Sequence, residues 1–237
     1  MRLETYLDVS HSPSEEDLLN RLVSSAETLG FGLVSAALIW GDFASKSFAG
    51  KSVTNTPNGF EEACRDISDA RRDPLLGRLM RSSLPLTYDG GLYQGAGAGD
   101  LYDAQAAFGY KHGVAVALHL PNDRHFLLGV DRPDPLPKSS AAVARIMADV
   151  HLLAAHANEA AQTLFTTASL ARREFKLTSR ELEVMRWTLE GKTAWETGMI
   201  LGISEHTVDF HAKSATRKIG VPSRTQAAIH CMKLGLI

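Results

Sequence analysis

The spacing of apolar residues near the C-terminus predicts a helix from Ser204 to Ile219. Val208, Ala212 and Ala215 recur with Ile219 at intervals of three and four residues, so they fall on one face of a helix. We expect that face to pack on a neighbouring helix. The opposite face is then free for solvent or for a partner.

Helix-start signals occur three times in this part of the chain. Thr178 with Glu181, and Thr193 with Glu196, are spaced as capping boxes, in which the hydroxyl and the carboxylate each satisfy a backbone N–H. Ser204 offers the hydroxyl without the returning carboxylate. The second and third signals predict a helix of about eight residues, a glycine-containing turn at residues 201–203 and a longer helix, which is the order of a helix-turn-helix.

The polar face of the longer helix has the chemistry of a DNA reader. Lys213 and Arg217 suit guanine edges or phosphates, Phe210 suits a thymine methyl group, and Asp209 can accept from a cytosine amino group. The alternative is an ordinary solvated face with one stray aromatic residue.

The N-terminal pattern alternates helices with strands and predicts an α+β domain, an antiparallel sheet between helical layers. A capping box from Ser12 to Glu15 opens the first predicted helix. Gly90–Gly99 is predicted as a loop, and no phosphate-binding glycine motif occurs there. The other predicted elements are strands at 33–40, 46–53, 113–120 and 125–131, and helices at 60–71, 75–82, 100–109 and 138–164.

Charge separates the two parts of the chain. The 237 residues carry a net charge of −2. Residues 170–237 hold eleven Lys or Arg against seven Asp or Glu, a net +4, whereas residues 1–169 hold fourteen against twenty, a net −6. The excess of positive charge predicts that the C-terminal part meets the nucleic acid.

Composition and cysteine usage narrow the class of protein. The two cysteines, Cys64 and Cys231, lack a metal-ligand spacing and are predicted to be free thiols of a reducing cytoplasm. We expect no signal peptide, no membrane span and no bound metal. Neither a nucleophile motif nor a paired-carboxylate motif is evident, so we predict no catalytic residues and no enzyme activity.

Three motif blocks of the C-terminal part resemble the DNA-binding domain of LuxR-type transcription regulators. They are Leu177–Trp187, Glu190–Thr193 and Ile203–His211, and the ending Ala227–Ile237 also fits. The resemblance implies structural roles for Glu181 and Gly191. Asp209 departs from the Asn, Lys or Arg usual in the family. The predicted DNA-binding residues are Lys192, Thr193, Ser204, His206, Thr207, Asp209, Phe210, Lys213, Arg217 and Arg224.

The N-terminal part resembles the autoinducer-binding domain of the same family, on Asp73-Pro74, Leu84-Pro85-Leu86 and Ala107–Gly113. The resemblance implies that Asp73 accepts from the amide N–H of an N-acyl-homoserine lactone. Phe60 stands where a donating Trp is usual, and two hydrogen-bond donors of the family pocket are missing. The predicted ligand-binding residues are Thr56, Phe60, Cys64, Asp73, Tyr88, Ala115 and Gly129.

Together these patterns predict a ligand and dimerisation domain at residues 1–165, a linker at 166–176 and a DNA-binding domain at 177–237. The resemblance implies a homodimer on a palindromic operator, paired in part through Ala228, Cys231 and Leu234 of the last helix, with no cofactor besides a possible lactone ligand. Two alternatives stay open. The pocket could serve a non-lactone ligand or none, and the protein could sequester a related regulator.

Overall fold

The computed structural model describes residues 1–40, 49–63, 72–121, 123–165 and 175–237. The chain divides into two compact units, Met1–Leu164 and Phe165–Ile237. The predicted linker at 166–176 lies almost wholly outside the described residues.

Unit 1 is built on an antiparallel sheet with helices on both faces, which confirms the predicted α+β class. The strands of the described residues are ordered β2-β1-β5-β4-β3 across the sheet. The strand bounds are β1 Leu33–Trp40, β2 Ala49–Thr54, β3 Leu86–Tyr88, β4 His112–Leu120 and β5 Arg124–Arg132. The helix bounds are α1 Leu3–Ser10, α2 Glu15–Thr28, α3 Phe60–Ala63, α4 Pro74–Leu79, α5 Gly90–Gly95, α6 Gly99–Ala106 and α7 Ser140–Leu164.

One face of this sheet carries the continuous apolar core. The long helix α7 packs on β1, β4 and β5, and α2 packs on β1. The sheet residues on that face are almost completely buried; they are Val34, Ala36, Leu38, Val114, Val116, Phe126, Leu128 and Val130. Because side chains alternate along a strand, the neighbouring positions face the other helical layer, where the candidate site lies.

Several predicted boundaries in unit 1 were wrong. The cap of α2 is Ser14, whose hydroxyl accepts from the backbone N–H of Asp17, whereas Ser12 donates to the carbonyl of Val9. The predicted loop Gly90–Gly99 holds α5 and the start of α6, because Asp89 caps α5 and the fully buried Tyr93 anchors it. Helix α1 and strand β3 were not predicted. The predicted helix 60–71 is described only as far as residue 63.

The described part of unit 2 is all helical, as predicted. Its helices are α8 Ser179–Leu189, α9 Ala194–Leu201, α10 Glu205–Ile219 and α11 Arg224–Lys233. Both predicted capping boxes form with their two hydrogen bonds each, and Ser204 caps α10 through its hydroxyl alone. Val208, Ala212, Ala215 and Ile219 are buried, so the predicted inner face of α10 is confirmed.

Candidate functional sites

A cavity of about 250 Å³ lies between the sheet and the second helical layer of unit 1. Small side chains floor its centre: Ser35 and Ala37 of β1, Ala115 of β4 and Gly129 of β5. Ser35 and Ala115 flank Gly129 in the strand register, and a Cβ built on Gly129 would meet no atom within 4 Å. The cavity therefore exists because four neighbouring positions lack bulk.

The helical layer closes the cavity with a mostly apolar roof. It is formed by Phe60, Leu75, Leu76, Leu79, Tyr93, Gln105 and Tyr110. Phe60 stacks on Tyr110, with ring centroids 4.6 Å apart. Thr56 reaches the site through Tyr110, whose hydroxyl lies 2.6 Å from that of Thr56. A concave site that combines apolar walls with a set of polar groups is the usual form of a small-molecule site.

Asp73 is one of two buried carboxylates in this cavity. It is 8% exposed and caps α4, because its Oδ1 accepts from the backbone N–H of Leu75 at 2.8 Å. Its Oδ2 accepts long bonds from the Tyr93 hydroxyl at 3.5 Å and the Gln105 amide at 3.4 Å. Burial raises the pKa of Asp73 above its usual range, although these donors oppose the shift.

Asp131 is the second carboxylate, and sequence reasoning missed it. It is 2% exposed, and the Tyr88 hydroxyl donates to its Oδ1 at 2.5 Å. Burial raises the pKa of Asp131 to about 7, and the Tyr88 bond only partly opposes that rise. An acidic residue inside a buried strand was the available signal.

Gly113 makes the contact between Tyr88 and Asp131 possible. Tyr88 pairs with Gly113 across β3 and β4, and Gly113 pairs with Asp131 across β4 and β5. A Cβ on Gly113 would lie 2.3 Å from the Tyr88 ring, so the ring crosses the glycine to reach the carboxylate.

The structure thus brings five predicted ligand-binding residues to one cavity: Phe60, Asp73, Tyr88, Ala115 and Gly129. Thr56 does not line the cavity itself but hydrogen-bonds to Tyr110, which does. Cys64 lies outside the described residues. Ser35, Tyr93, Gln105, Tyr110 and Asp131 also line it and were not predicted. Tyr110 lies inside the segment Ala107–Gly113 that carried the family resemblance, so that signal was available.

The second candidate site is the outer face of α10 in unit 2. Phe210 is 65% exposed there, and His206, Lys213 and Arg217 are exposed with it. Lys213, Arg217 and Arg224 share one open cleft with Asp209, so three cations surround a single acid. That arrangement can hold a phosphate backbone while an aromatic side chain projects beyond it.

The remaining predicted contacts lie at the starts of α9 and α10. Thr193 and Ser204 are exposed N-cap residues, and Lys192 and Thr207 are partly exposed beside them. Gly198 holds these two helices close, since a Cβ there would lie 2.7 Å from the carbonyl oxygen of Ile203. Helix N-termini of this kind favour phosphate oxygens.

Glu181 fixes the outer helix to its scaffold. It is 3% exposed, caps α8 through the backbone N–H of Thr178, and pairs with Lys218 of α10 at 2.8 Å. Burial alone would raise its pKa, but Lys218 and the Thr178 N–H bring the pKa below its usual range. The structural role implied for Glu181 fits these contacts.

Gly191, the other residue with an implied structural role, follows α8 with a φ of +77°, a conformation that suits glycine.

Three residues predicted for dimerisation need correction. Ala228, Cys231 and Leu234 are 0%, 0% and 2% exposed within their own unit. Ala228 and Cys231 pack in the core between α8, α10 and α11, and Leu234 is buried directly after α11. Burial raises the pKa of the Cys231 thiol to about 12. Side chains already covered by their own chain cannot also form a surface. Of the apolar residues on α11, Ile229 remains exposed, at 39%.

Comparison with known proteins agrees with both sites. Residues 14–161 match the autoinducer binding domain, and residues 176–231 match the bacterial regulatory proteins of the luxR family. The chain belongs to the LuxR family of regulators. Its relatives are transcription regulators rather than enzymes, and they bind autoinducers rather than cofactors.

Two sequence relatives illustrate the match. The regulatory protein SdiA of Escherichia coli is 37% identical over 142 residues, which are 58% of this chain and 56% of SdiA. The quorum sensing-dependent regulator RpaR of Rhodopseudomonas palustris is 34% identical over 134 residues, or 56% of this chain and 51% of RpaR. The matched stretch thus spans about half the length of each relative.

Solved structures extend the likeness to nearly the whole chain. A crystal structure of Escherichia coli SdiA has a TM-score of 0.73 at 28% identity, covering 99% of this chain and 96% of that one. SdiA in complex with octanoyl-rac-glycerol has a TM-score of 0.70 at 27% identity, covering 98% and 93%. Among the described residues, no helix is long and apolar enough to cross a membrane, and no cluster of three or more ligating side chains could hold a metal.

Proposed function

We propose that this protein is a cytoplasmic, dimeric transcription regulator that binds a palindromic operator under the control of a small acylated signal such as an N-acyl-homoserine lactone. One pairing of features carries the proposal. A cavity with a mostly apolar surface and a buried acceptor, Asp73, lies in one unit, and a cation-lined cleft beside an exposed aromatic residue lies in the other.

The signal half of the proposal rests on Asp73. Both hydrogen bonds to its Oδ2 are long, so this oxygen can accept a shorter bond from a ligand amide N–H. A charged acceptor makes such a bond roughly twice as strong as a neutral one. The acyl chain would lie among Leu75, Leu76 and Leu79.

The DNA half rests on α10. A helix whose inner face is buried and whose outer face carries Phe210, Lys213 and Arg217 can enter a major groove, which admits one α-helix. The modest charge excess of unit 2 favours two copies, because each neutralised phosphate adds to affinity. Two copies placed about one DNA turn apart would read a palindrome.

Exposed apolar side chains in unit 1 support the dimer. Leu3 and Leu7 of α1 are 62% and 40% exposed, and Leu152 of α7, against which α1 packs, is 42% exposed. In this scheme the ligand fills the cavity and stabilises folded unit 1. Because only folded protein can pair, the concentration of dimer then rises by mass action. Unit 1 then carries the pairing that the buried side chains of α11 cannot provide.

A second candidate is a LuxR-family regulator that needs no signal or takes a non-lactone ligand. The cavity of about 250 Å³ is below the roughly 300–1,000 Å³ of ordinary ligand sites. Phe60, which has no donor, partly fills it by stacking on Tyr110. A small, self-packed cavity favours activity without a lactone.

Binding of the full chain to a labelled palindromic operator, with and without N-octanoyl-homoserine lactone, tests the proposal. We expect lactone to tighten binding, and Lys213→Ala to weaken it by about 1–3 kcal/mol. Arg186→Ala is the control, because Arg186 is exposed on α8 outside the cleft.

Equal binding to the operator with and without lactone would favour the second candidate. No DNA binding, with a related regulator retained in a mixed dimer, would make the protein an anti-activator, for which Asp209 is the motivating feature.

A further inference from the structure

Two histidines face each other across the tip of the β4–β5 hairpin. His119 and His125 are direct partners in the strand register, and their Nδ1 atoms lie 2.7 Å apart. The ring centroids are 4.9 Å apart, and the ring planes are nearly perpendicular, at 82°. The fold thus brings one nitrogen of each ring to the same place.

This pair has the exposure and the protonation state that a metal ligand needs. His119 is exposed and His125 is half-buried, so an ion can reach them from solvent. Burial and the neighbouring His119 ring lower the pKa of His125, which favours the neutral imidazole that binds metal ions. In a neutral pair, the ring with its proton on Nδ1 would carry that proton on Nε2 once an ion is bound.

The separation of the two nitrogens is close to that of two ligands on one ion. With metal–nitrogen bonds of about 2.0–2.1 Å, two nitrogens lie about 2.9 Å apart at a right angle and about 3.3 Å apart at a tetrahedral angle. The observed 2.7 Å would therefore widen by roughly 0.2–0.6 Å. Small rotations of two side chains suffice, and the ion replaces a single hydrogen bond.

The surroundings of the pair also suit a cation. Asp123 lies in the turn between the strands, and its negative charge acts on the His125 ring. Arg124 is directed to the opposite face of the hairpin, because side chains alternate along a strand, and its Nε donates to the carbonyl of Pro121. No third ligating side chain within the described ranges completes the group, so water would fill the remaining positions.

We propose that His119 and His125 form a two-histidine site for a late first-row transition ion, Ni²⁺ or Zn²⁺. Imidazole suits these ions, whereas Mg²⁺ prefers oxygen ligands. The sequence carries no motif for such a site, because it is the strand register that joins the two residues. An ion that links two strands of the sheet stabilises folded unit 1, whatever the cavity binds.

Calorimetric titration of NiCl₂ and ZnCl₂ into the full chain tests this site, with MgCl₂ as the negative control. We expect one tightly bound ion per chain. His119→Gln and His125→Gln should each weaken that binding at least about tenfold, and the double variant should bind scarcely more weakly than either, because chelation needs both rings. His11→Gln is the matched control, since His11 is exposed directly after α1, and it should leave the binding unchanged.

The ring resonances of wild-type protein make the test independent of how well the variants fold. Among the nine histidines, Zn²⁺ should shift two in a proton–nitrogen correlation spectrum, and more strongly at Nδ1 than at Nε2. Zn²⁺ should also raise the melting temperature of the wild type but not that of the double variant. Absence of binding, additive losses in the two single variants, an equal loss in His11→Gln, or shifts spread over many rings would each overturn the proposal.

Discussion

In unit 2 the two N-cap residues of the candidate site lie on the surface, and their hydrogen-bond partners are three residues away. Thr193 bonds with Glu196, and Ser204 with Thr207. In unit 1 the polar side chains of the cavity lie inside, and several of their partners are far along the chain. Tyr88 and Asp131 are 43 residues apart, and Thr56 and Tyr110 are 54 apart.

This difference has a consequence for function. A surface built from local bonds keeps its shape when one exposed side chain is replaced, so specificity can change without loss of the fold. A cavity built from long-range bonds depends on the whole sheet register, so anything that fills it is coupled to the stability of unit 1. That coupling is what a ligand-controlled regulator needs.

The largest expected effect tests the buried carboxyl of Asp131. Its pKa is about 7 in the folded protein and 3.8 in its reference state, so between those values the folded state holds a proton that the unfolded state has lost. The free energy of unfolding should therefore fall as pH rises from about 4 to 7, by up to about 4 kcal/mol. Urea denaturation of wild type and Asp131→Asn across this range measures the difference between their slopes.

Asp103→Asn is the matched control for that experiment, because Asp103 is exposed on α6. It should leave the pH slope of the wild type unchanged. If Asp131→Asn also kept the wild-type slope, the carboxyl would ionise normally and the cavity would be wetter than its burial indicates.

The second effect concerns Glu181, a buried acid of unit 2. Glu181→Ala removes a capping box and leaves the Lys218 ammonium, 27% exposed, without its carboxylate. We expect a loss of about 3 kcal/mol in the free energy of unfolding, since breaking a buried pair costs about 3–5 kcal/mol and this one is partly solvated. Chemical denaturation followed by far-ultraviolet circular dichroism measures it.

Glu183 provides the comparison on the same helix. It pairs with Arg180 at the surface, where both side chains are more than 40% exposed, so Glu183→Ala should cost about 0.5 kcal/mol or less. Similar losses for the two alanine variants would show that burial does not distinguish these acids.

The same contrast explains which features the sequence could predict. The two capping boxes of unit 2 and the 3.6-residue spacing of α10 are local signals, and the structure confirms them. Asp73 was predicted because the Asp-Pro pair and the family resemblance mark it in the sequence itself. The other polar contacts of the cavity could not be predicted, because their partners are distant in the sequence and are brought together only by the register of the sheet.

The errors have physical reasons of the same kind. Gly90–Gly99 has the composition of a loop, but the burial of Tyr93 and the Asp89 cap override glycine's low helix propensity. Helix α1 has only eight residues, and the bond that anchors it, from Tyr6 to Asp149, spans 143 positions. Asp131 lies in the predicted strand 125–131, but its partner Tyr88 is 43 residues away and reaches it only because Gly113 has no side chain.

Two glycines test the packing of unit 1 directly. Gly113→Ala should destabilise the protein by about 2 kcal/mol, because the new Cβ would push the Tyr88 ring away from Asp131. Gly129→Ala places the same methyl group in the open cavity and should be neutral or slightly stabilising. Thermal unfolding measures the stability of both variants. Equal losses of stability would contradict the presence of an open cavity beside Gly129.

The smallest expected effect is on sequence preference. Phe210→Ala should weaken binding to the operator by about 1 kcal/mol, roughly fivefold, if the exposed ring contacts a thymine methyl group, and it should leave binding to random DNA almost unchanged. Phe210→Leu keeps an apolar contact and should retain part of the preference. Fluorescence anisotropy with operator, random and uracil-substituted DNA measures each case. Equal losses on operator and random DNA would place Phe210 against the backbone, and specificity would then belong to Lys213, Arg217 and Asp209.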